Sequence, residues 1–204
     1  MKGKWETKIQ NIRPLGAELF STEKYLDELL EIIQRRNLMV HNDGVIDDDF
    51  LLKIPEKYKS EKGWRSGQIL VVSSEYLQRA LDVVQLIGCA LHQSAWRTWL
   101  SPSPKKVNEA FGNFVFAALK QQRYRLTSDL ADLSISFSLP KKHINIVKVN
   151  QAISFRECGK SDKLQNIINE LSQSNPSLSV QIGLSVLRTD YKKMQLLLVV
   201  VKLK

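Results

Sequence analysis

The stretch that decides the fold is TEKYLDELLEIIQRRNLMVHNDG, residues 22–44. Its apolar residues recur every three or four positions, which is the spacing of one face of an α-helix. That face consists of Leu26, Leu29, Leu30, Ile33 and Val40. Gly44, after two polar residues, predicts the end of the helix because glycine readily adopts the positive φ of a helix C-terminus. We therefore predict a helix from about residue 22 to residue 41.

Two polar side chains continue the apolar face of this predicted helix. An α-helix turns about 100° per residue, so Asn37 falls about 20° from Leu26 and His41 about 60° from it. Arg36 lies at the border of the face, whereas Arg35 is predicted on the far side, in solvent. Polar groups on a buried face cost free energy unless they find partners. The face is therefore predicted either to reach the edge of the bundle, where loop carbonyls bind these side chains, or to continue into a cleft or subunit interface.

RNA cleavage would explain why these polar side chains face a cleft or an interface. A histidine titrates near neutral pH and can transfer a proton, and an arginine offers charged donors to a phosphate in a transition state. RNA supplies its own nucleophile, the 2′-hydroxyl, so neither a metal nor a protein nucleophile is obligatory. A two-fold dimer would place a second His41 and a second Arg36 across its axis.

The longer stretch RRNLMVHNDGVIDDDFL, residues 35–51, resembles the signature of HEPN domains, the helical domains of many prokaryotic toxin and defence ribonucleases. Their pattern is an arginine, a polar residue, three to five further residues and a histidine. Arg36, Asn37 and His41 match it at the shortest spacing. The residues 42–44 and the later Phe50 are similar to the RNA-cleaving, defence-associated branch.

This resemblance implies an all-helical bundle, homodimerisation through the motif helices and a metal-independent endoribonuclease without cofactors, acting as a toxin or antiviral defence effector. The products would carry a 2′,3′-cyclic phosphate and a 5′-hydroxyl. His41 would be the acid/base group, Arg36 would stabilise the scissile phosphate, and Asn37 would orient the other two.

An alternative prediction is a non-catalytic adaptor that binds RNA or assembles partners, since the family also contains such members. HEPN domains usually carry a long helix ahead of the motif. Here about 20 residues precede the motif helix, and Pro14 and Gly16 interrupt them.

Further RNA contacts are predicted around the motif and in the loop after it. Lys62, Trp64 and Arg65 combine cations with an aromatic ring, which suits backbone contact and base stacking. Arg35 and Asn42 flank the motif residues and complete the predicted RNA-binding set. A solvated loop with a buried Trp64 is an equally open interpretation of the same residues.

The composition bounds the remaining possibilities. The 204 residues carry a net charge of +9, which suits RNA or another phosphate-rich partner but also an inert basic surface.

Cys89 and Cys158 have apolar neighbours and are predicted to pack in the core of a cytoplasmic protein. No apolar run approaches the ~20 residues of a membrane span; the longest is LLLVVV, residues 196–201. Asp47–Asp49 predicts a helix cap rather than a magnesium site.

The rest of the chain also predicts helices, so the predicted fold class is mainly α, with a short strand or hairpin at most near residues 68–72. The downstream helices are predicted at 74–100, Val107–Leu119, Tyr124–Phe137, Asn145–Glu157, Asp162–Leu171 and Pro176–Leu187. We predict a HEPN-like domain over residues 1–104. Residues 105–204 are similar to tetratricopeptide-like helical pairs and would bind an antitoxin or another protein partner. Their QQRYR segment, residues 121–125, is interpreted as a charged helix face.

Overall fold

The computed structural model describes residues 23–99, 104–137, 139–174 and 176–188, together with Asn11. The elements in these ranges are helices: α1 (Glu23–His41), α2 (Asp48–Lys53), α3 (Glu56–Lys62), α4 (Ser74–Trp99), α5 (Pro104–Lys120), α6 (Tyr124–Ser136), α7 (Lys141–Glu157), α8 (Ser161–Gln173) and α9 (Leu178–Arg188). The mainly-α prediction is thus confirmed. Near the predicted strand, one antiparallel bridge pairs Ile69 with Val45.

The long helices begin and end near their predicted limits, and the differences have local causes. The helix α7 begins at Lys141 instead of Asn145, because Pro140 acts as its N-cap rather than only as a break. The short helices α2 and α3 were not predicted, since six and seven residues are too few for apolar periodicity to mark them. The apolar segment 196–201 lies outside the described residues.

The chain divides into two compact units, Met1–Ala95 and Trp96–Lys204. The division falls within α4, whereas the sequence predicted it between residues 104 and 105. A small apolar core in the first unit joins the end of α1 to α2 and to the loop before α4. Its buried members are Leu38, Ile46, Phe50, Ile54 and Leu70, with Tyr58 and Trp64 packed against them.

Helical hairpins make up the described part of the second unit. The turns between α5 and α6 and between α7 and α8 have only three residues each, which makes the paired helices antiparallel. A short connection also joins α6 to α7, and Nε2 of Gln151 donates to Oδ1 of Asp132 across this pair at 2.6 Å, so these two helices are antiparallel as well. Because the chain reverses direction at each connection, the α5–α6 and α7–α8 turns lie at the same end of this unit. The pair predicted at Asn145–Glu157 and Asp162–Leu171 is present as α7 and α8. The partner predicted for the last helix, from about residue 190, lies outside the described residues, and the likeness to tetratricopeptide repeats stays a prediction.

A close helix contact brings α9 against α7. A Cβ atom at Gly183 would lie 2.6 Å from Cγ1 of Val149. Such a distance is too short for two carbon atoms, so this contact requires glycine at residue 183. The side chain of Val149 is fully buried there.

The two cysteines differ in their surroundings. Cys89 is buried in α4, and its burial raises the pKa of the thiol. Cys158 is exposed directly after α7, in the turn to α8. The predicted packing role is confirmed for Cys89 and wrong for Cys158, because the apolar neighbours of Cys158 in the sequence belong to helix faces that turn away from it.

Candidate functional site

The motif residues lie in the last two turns of α1. The side chains of Arg36 and His41 are exposed, and that of Asn37 is half-buried. Nη1 of Arg36 donates a hydrogen bond to Oδ1 of Asn37 at 3.2 Å. His41 is the last residue of the helix, and its ring makes no hydrogen bond or ion pair with another described residue. The imidazole is thus open to a ligand from outside the first unit.

The buried face of α1 is opposite to the one that the apolar spacing predicted. The well-buried side chains of α1 are Tyr25, Glu31, Arg35 and Leu38. The predicted face is only half-buried at Leu26, Leu29, Leu30 and Ile33. At its end, Val40 is 56 % exposed. The prediction that Asn37 and His41 continue a buried face is therefore wrong, because they continue the partly open side of the helix.

Arg35 is the centre of the buried face, not a solvent-exposed residue. Its side chain contacts Oε1 of Glu31 through Nε at 2.7 Å and through Nη2 at 2.6 Å. The guanidinium carbon lies 4.0 Å from the ring centroid of Tyr76 and 5.1 Å from that of Trp64. A paired carboxylate and two aromatic faces offset the cost of burying this charge. The predicted solvent exposure of Arg35 is wrong, and its charge is not presented to RNA.

A pocket of about 900 Å³ lies beside this ion pair, between α1, α3 and the start of α4. The hydroxyl of Tyr76 donates to Oε2 of Glu31 at 2.9 Å. Arg79 donates to both carboxylate oxygens of Glu28, through Nε and Nη2, at 2.7 Å each. Both carboxylates of the pocket are thus paired with groups of the same unit. The pocket is therefore held together by α1–α4 contacts rather than left as an open acidic cleft.

The phenol groups of the pocket stay protonated over a wide pH range. Burial, together with a smaller contribution from the nearby carboxylates Glu28 and Glu31, raises the pKa of Tyr58 to about 12. Burial also raises the pKa of Tyr76, with Glu31 adding to the effect. Because the phenolate form is disfavoured, both phenols keep their proton near neutral pH, and Tyr76 donates it to Glu31.

The pocket and the motif lie on different sides of α1. At about 100° per residue, the direction of Arg35 differs from that of Asn37 by about 160° and from that of His41 by about 120°. The two features therefore do not form one site within a single copy of the chain.

Asn42 fixes the turn that follows the motif. Its Nδ2 donates to the carbonyl oxygen of Val45 at 2.5 Å and to Oδ2 of Asp47 at 3.4 Å. Asp47 in turn accepts a hydrogen bond from the backbone N–H of Phe50 at 2.7 Å and so caps α2. The predicted cap is confirmed. The amide of Asn42, predicted to contact RNA, instead connects the end of α1 to the start of α2.

The predicted RNA-binding loop combines exposed cations with a packed aromatic. Lys62 and Arg65 are exposed, whereas Trp64 is half-buried. The Trp64 ring centroid lies 5.7 Å from that of Phe50 in the core of the first unit. Trp64 is therefore a packing residue, and only the two cations present polar groups to solvent. RNA contact by Lys62 and Arg65 stays a prediction.

Several residues of this region were missed by the sequence reasoning. Glu31 and Arg35 stand four positions apart, which is a recognisable helical ion-pair spacing. Tyr76 and Arg79 follow their partners by 45 and 51 residues. No local pattern connects residues so far apart, so the pocket was not visible in the sequence.

Comparison with known proteins gives no match: no family model, no curated protein and no solved structure is similar to the chain. In the described ranges, no group of three or more His, Cys, Asp and Glu is arranged to hold a metal ion. None of the helices described for the chain is both long enough and apolar enough to cross a bilayer.

Proposed function

We propose that the chain is a metal-independent endoribonuclease of the HEPN type, acting as a toxin or defence effector. The observation that carries this proposal is the end of α1, where Arg36, Asn37 and His41 share an open stretch of helix and Arg36 donates to Asn37. A charged donor, an orienting amide and an open imidazole are the groups that cleavage by the 2′-hydroxyl of RNA requires.

The proposed reaction is an attack of the 2′-oxygen on the adjacent phosphorus. As the O2′–P bond forms, one His41 accepts the proton of the 2′-hydroxyl. As the P–O5′ bond breaks, the O5′ oxygen receives a proton from a second histidine. Arg36 stabilises the charge that gathers on the non-bridging oxygens. The products are a 2′,3′-cyclic phosphate and a 5′-hydroxyl.

A composite site from two copies of the chain supplies that second histidine. In one copy, Arg36 and His41 are about 7.5 Å apart along the helix axis and point about 140° apart around it. A single helix thus offers one Arg36 and one His41, which is one histidine fewer than the reaction needs. A two-fold axis beside the end of α1 would bring the His41 and the Arg36 of the other copy to the same phosphate. The half-buried apolar residues of this side of α1 suit such an interface.

The test is cleavage of single-stranded RNA by the purified chain in the presence of EDTA. We expect the wild type to produce new 5′-hydroxyl ends, and His41→Ala and Arg36→Ala to lower the rate by at least roughly 10²-fold. The matched control is His92→Ala, because His92 is also an exposed histidine on a helix of the first unit. Cleavage that survives both motif substitutions, or that falls equally in the control, would refute the site.

A specific observation favours the alternative of a non-catalytic adaptor. Residues 23–95 contain nine Lys or Arg against twelve Asp or Glu, a net charge of −3, and the whole motif-bearing unit, Met1–Ala95, carries −1. An acidic unit attracts RNA poorly. The adaptor predicts binding of RNA or protein without new 5′-hydroxyl ends, so finding such ends in a His41-dependent manner would reject it.

A further inference from the structure

The basic surplus of the chain lies outside the motif-bearing unit. Residues 96–188 contain thirteen Lys or Arg against six Asp or Glu, a net charge of +7, whereas residues 23–95 carry −3. A protein that binds RNA neutralises phosphates with Lys and Arg. The helices of the second unit are therefore where RNA contacts are to be sought.

Within the second unit, cations lie at both ends. Lys105, Lys106, Lys141 and Lys142 lie near the starts of α5 and α7, and a second group lies at the end that carries the α5–α6 and α7–α8 turns. We name as the turn patch the five residues Lys120, Arg123, Arg125, Lys160 and Lys163. All of them are exposed except Arg123, which is half-buried. Residues 120–125 contain no carboxylate. At the second turn, Glu157 pairs with Arg156 at 3.3 Å, which leaves Asp162 as the carboxylate beside the two lysines.

The turn patch also contains aromatic rings among its cations. Tyr124 lies between Arg123 and Arg125 and is half-buried. The ammonium groups of Lys160 and Lys163 lie 5.8 Å and 5.6 Å from the ring centroid of Phe155. Phe155 is itself buried, so Tyr124 is the ring of the patch that stays partly open to a base. Cations beside such a ring are suited to a single strand, whose phosphates and bases are both accessible.

Helix stability does not account for these cations. A positive charge is favourable at the C-terminus of a helix and unfavourable at its N-terminus. Lys120 ends α5 and gains from this effect. Arg125 lies in the first turn of α6, Lys160 is the N-cap of α8, and Lys163 lies in its first turn. These three charges oppose the helix dipole, as do Lys105 and Lys141 at the starts of α5 and α7, so helix stability favours none of them.

The backbone of the first turn is an ordinary helix ending. Gln122 has a φ of +57°, in the left-handed region. The N–H of Arg123 donates to the carbonyl oxygen of Ala118, and the N–H of Gln122 to that of Leu119, which is the Schellman pattern of a helix C-terminus. Gly159 takes the same conformation at the second turn, with a φ of +67°.

We propose that the turn patch binds the phosphate backbone of single-stranded RNA and so supplies the affinity that the acidic motif-bearing unit lacks. The choice of RNA as the ligand rests on the proposed function. The position of the proposed RNA contact does not depend on catalysis, because it follows from the charges and the turns of the second unit alone.

The experiment measures binding with the full chain carrying His41→Ala, which prevents cleavage during the titration. The probe is fluorescein-labelled single-stranded RNA, followed by anisotropy over a series of salt concentrations. In the variant Lys120→Gln, Lys160→Gln, Lys163→Gln, we expect the Kd to rise roughly tenfold or more at moderate salt. Since each phosphate contact on a single strand contributes about 0.7 to the slope of log Kd against log salt, that slope should become shallower by about 2.

The matched control removes the same charge from the other end of the unit. Lys105→Gln, Lys106→Gln, Lys141→Gln replaces three exposed lysines near the starts of α5 and α7. We expect this variant to bind RNA within about threefold of the parent. Equal weakening in both triple variants would overturn the proposal, because net charge alone would then explain binding. Unchanged binding in the turn-patch variant, or no RNA binding by the parent, would overturn it as well.

Two further readouts separate this proposal from the proposed function. Patch-dependent RNA binding by a wild-type chain that makes no 5′-hydroxyl ends would retain the turn patch and reject the ribonuclease. His41-dependent cleavage with unweakened binding in the turn-patch variant would retain the ribonuclease and reject the turn patch. Loss of binding to phosphatidylserine vesicles in that variant, with unchanged RNA affinity, would assign the patch to a lipid surface and also reject the proposal.

Discussion

The two units differ in the kind of polar side chain that they bury. In the first unit the buried polar side chains include a charged pair, Glu31 with Arg35. In the second unit, the fully or nearly buried polar side chains are neutral: Asn108, Thr127, Ser128, Ser134, Asn150, Gln151 and Ser154. Charged pairs hold their geometry only while both partners remain, whereas a buried hydroxyl can bond to its own helix. The first unit should therefore be the more fragile of the two towards single substitutions of buried polar residues.

The largest expected effect is the loss of Glu31. In Glu31→Ala, Arg35 would remain buried without its carboxylate, and Tyr76 would lose its acceptor. We expect the free energy of unfolding to fall by about 3–5 kcal/mol, measured by urea denaturation. The control in the second unit is Ser154→Ala, because the Ser154 hydroxyl donates only to the Asn150 carbonyl one turn away. That change should stay within about 1 kcal/mol. Similar losses in the two variants would break the comparison.

A smaller effect is expected at two helical glycines, one in each unit. Gly183→Ala places a methyl group against Val149, so the free energy of unfolding should fall by about 1–3 kcal/mol. An ideal Cβ at Gly88 in α4 meets no atom within 4 Å. Gly88→Ala should therefore raise the free energy of unfolding by up to about 1 kcal/mol, through helix propensity. Thermal unfolding of both variants checks the pair, because the midpoint should fall in Gly183→Ala and rise in Gly88→Ala. Shifts of the same sign would contradict the helix contact at Gly183.

The smallest expected effect is the change in the free energy of unfolding as the Tyr58 phenol titrates. Its folded-state pKa of about 12 lies above the ordinary value of 10.0. The contribution of the protonated phenol to stability is thus complete below about pH 10 and is lost between about pH 10 and 12. Because the ring is half-exposed, solvent screening makes this contribution small. Urea denaturation at about pH 9 and about pH 11 should show a smaller loss in Tyr58→Phe than in the wild type. An identical loss would show that Tyr58 does not titrate as stated.

The sequence predicted the helices well because apolar spacing and helix breakers are local signals. The limits of α1 and α4 follow from residues within a few positions of each end. The orientation of α1 does not, since four half-buried leucine and isoleucine residues outweigh Glu31 and Arg35 in any apolar pattern. What decides the orientation is the contact of Glu31 with Tyr76 and of Glu28 with Arg79, and these partners come from another helix. The sequence identified the motif residues, but it predicted a buried environment for a side of the helix that is partly open.

Arg35 and Arg36 are adjacent, yet one is buried in an ion pair and the other is exposed. Their difference depends on a rotation of about 100° that one residue contributes to the helix. Deleting a single residue between Glu31 and Arg35 would carry Arg36 into the buried position, and inserting one would carry Arg35 into the exposed position; either change would turn His41 by the same angle. The length of this segment is thus under a stricter constraint than its composition. Descendants of this chain could accumulate substitutions along α1, but an alignment of them should contain no gap between Glu31 and His41.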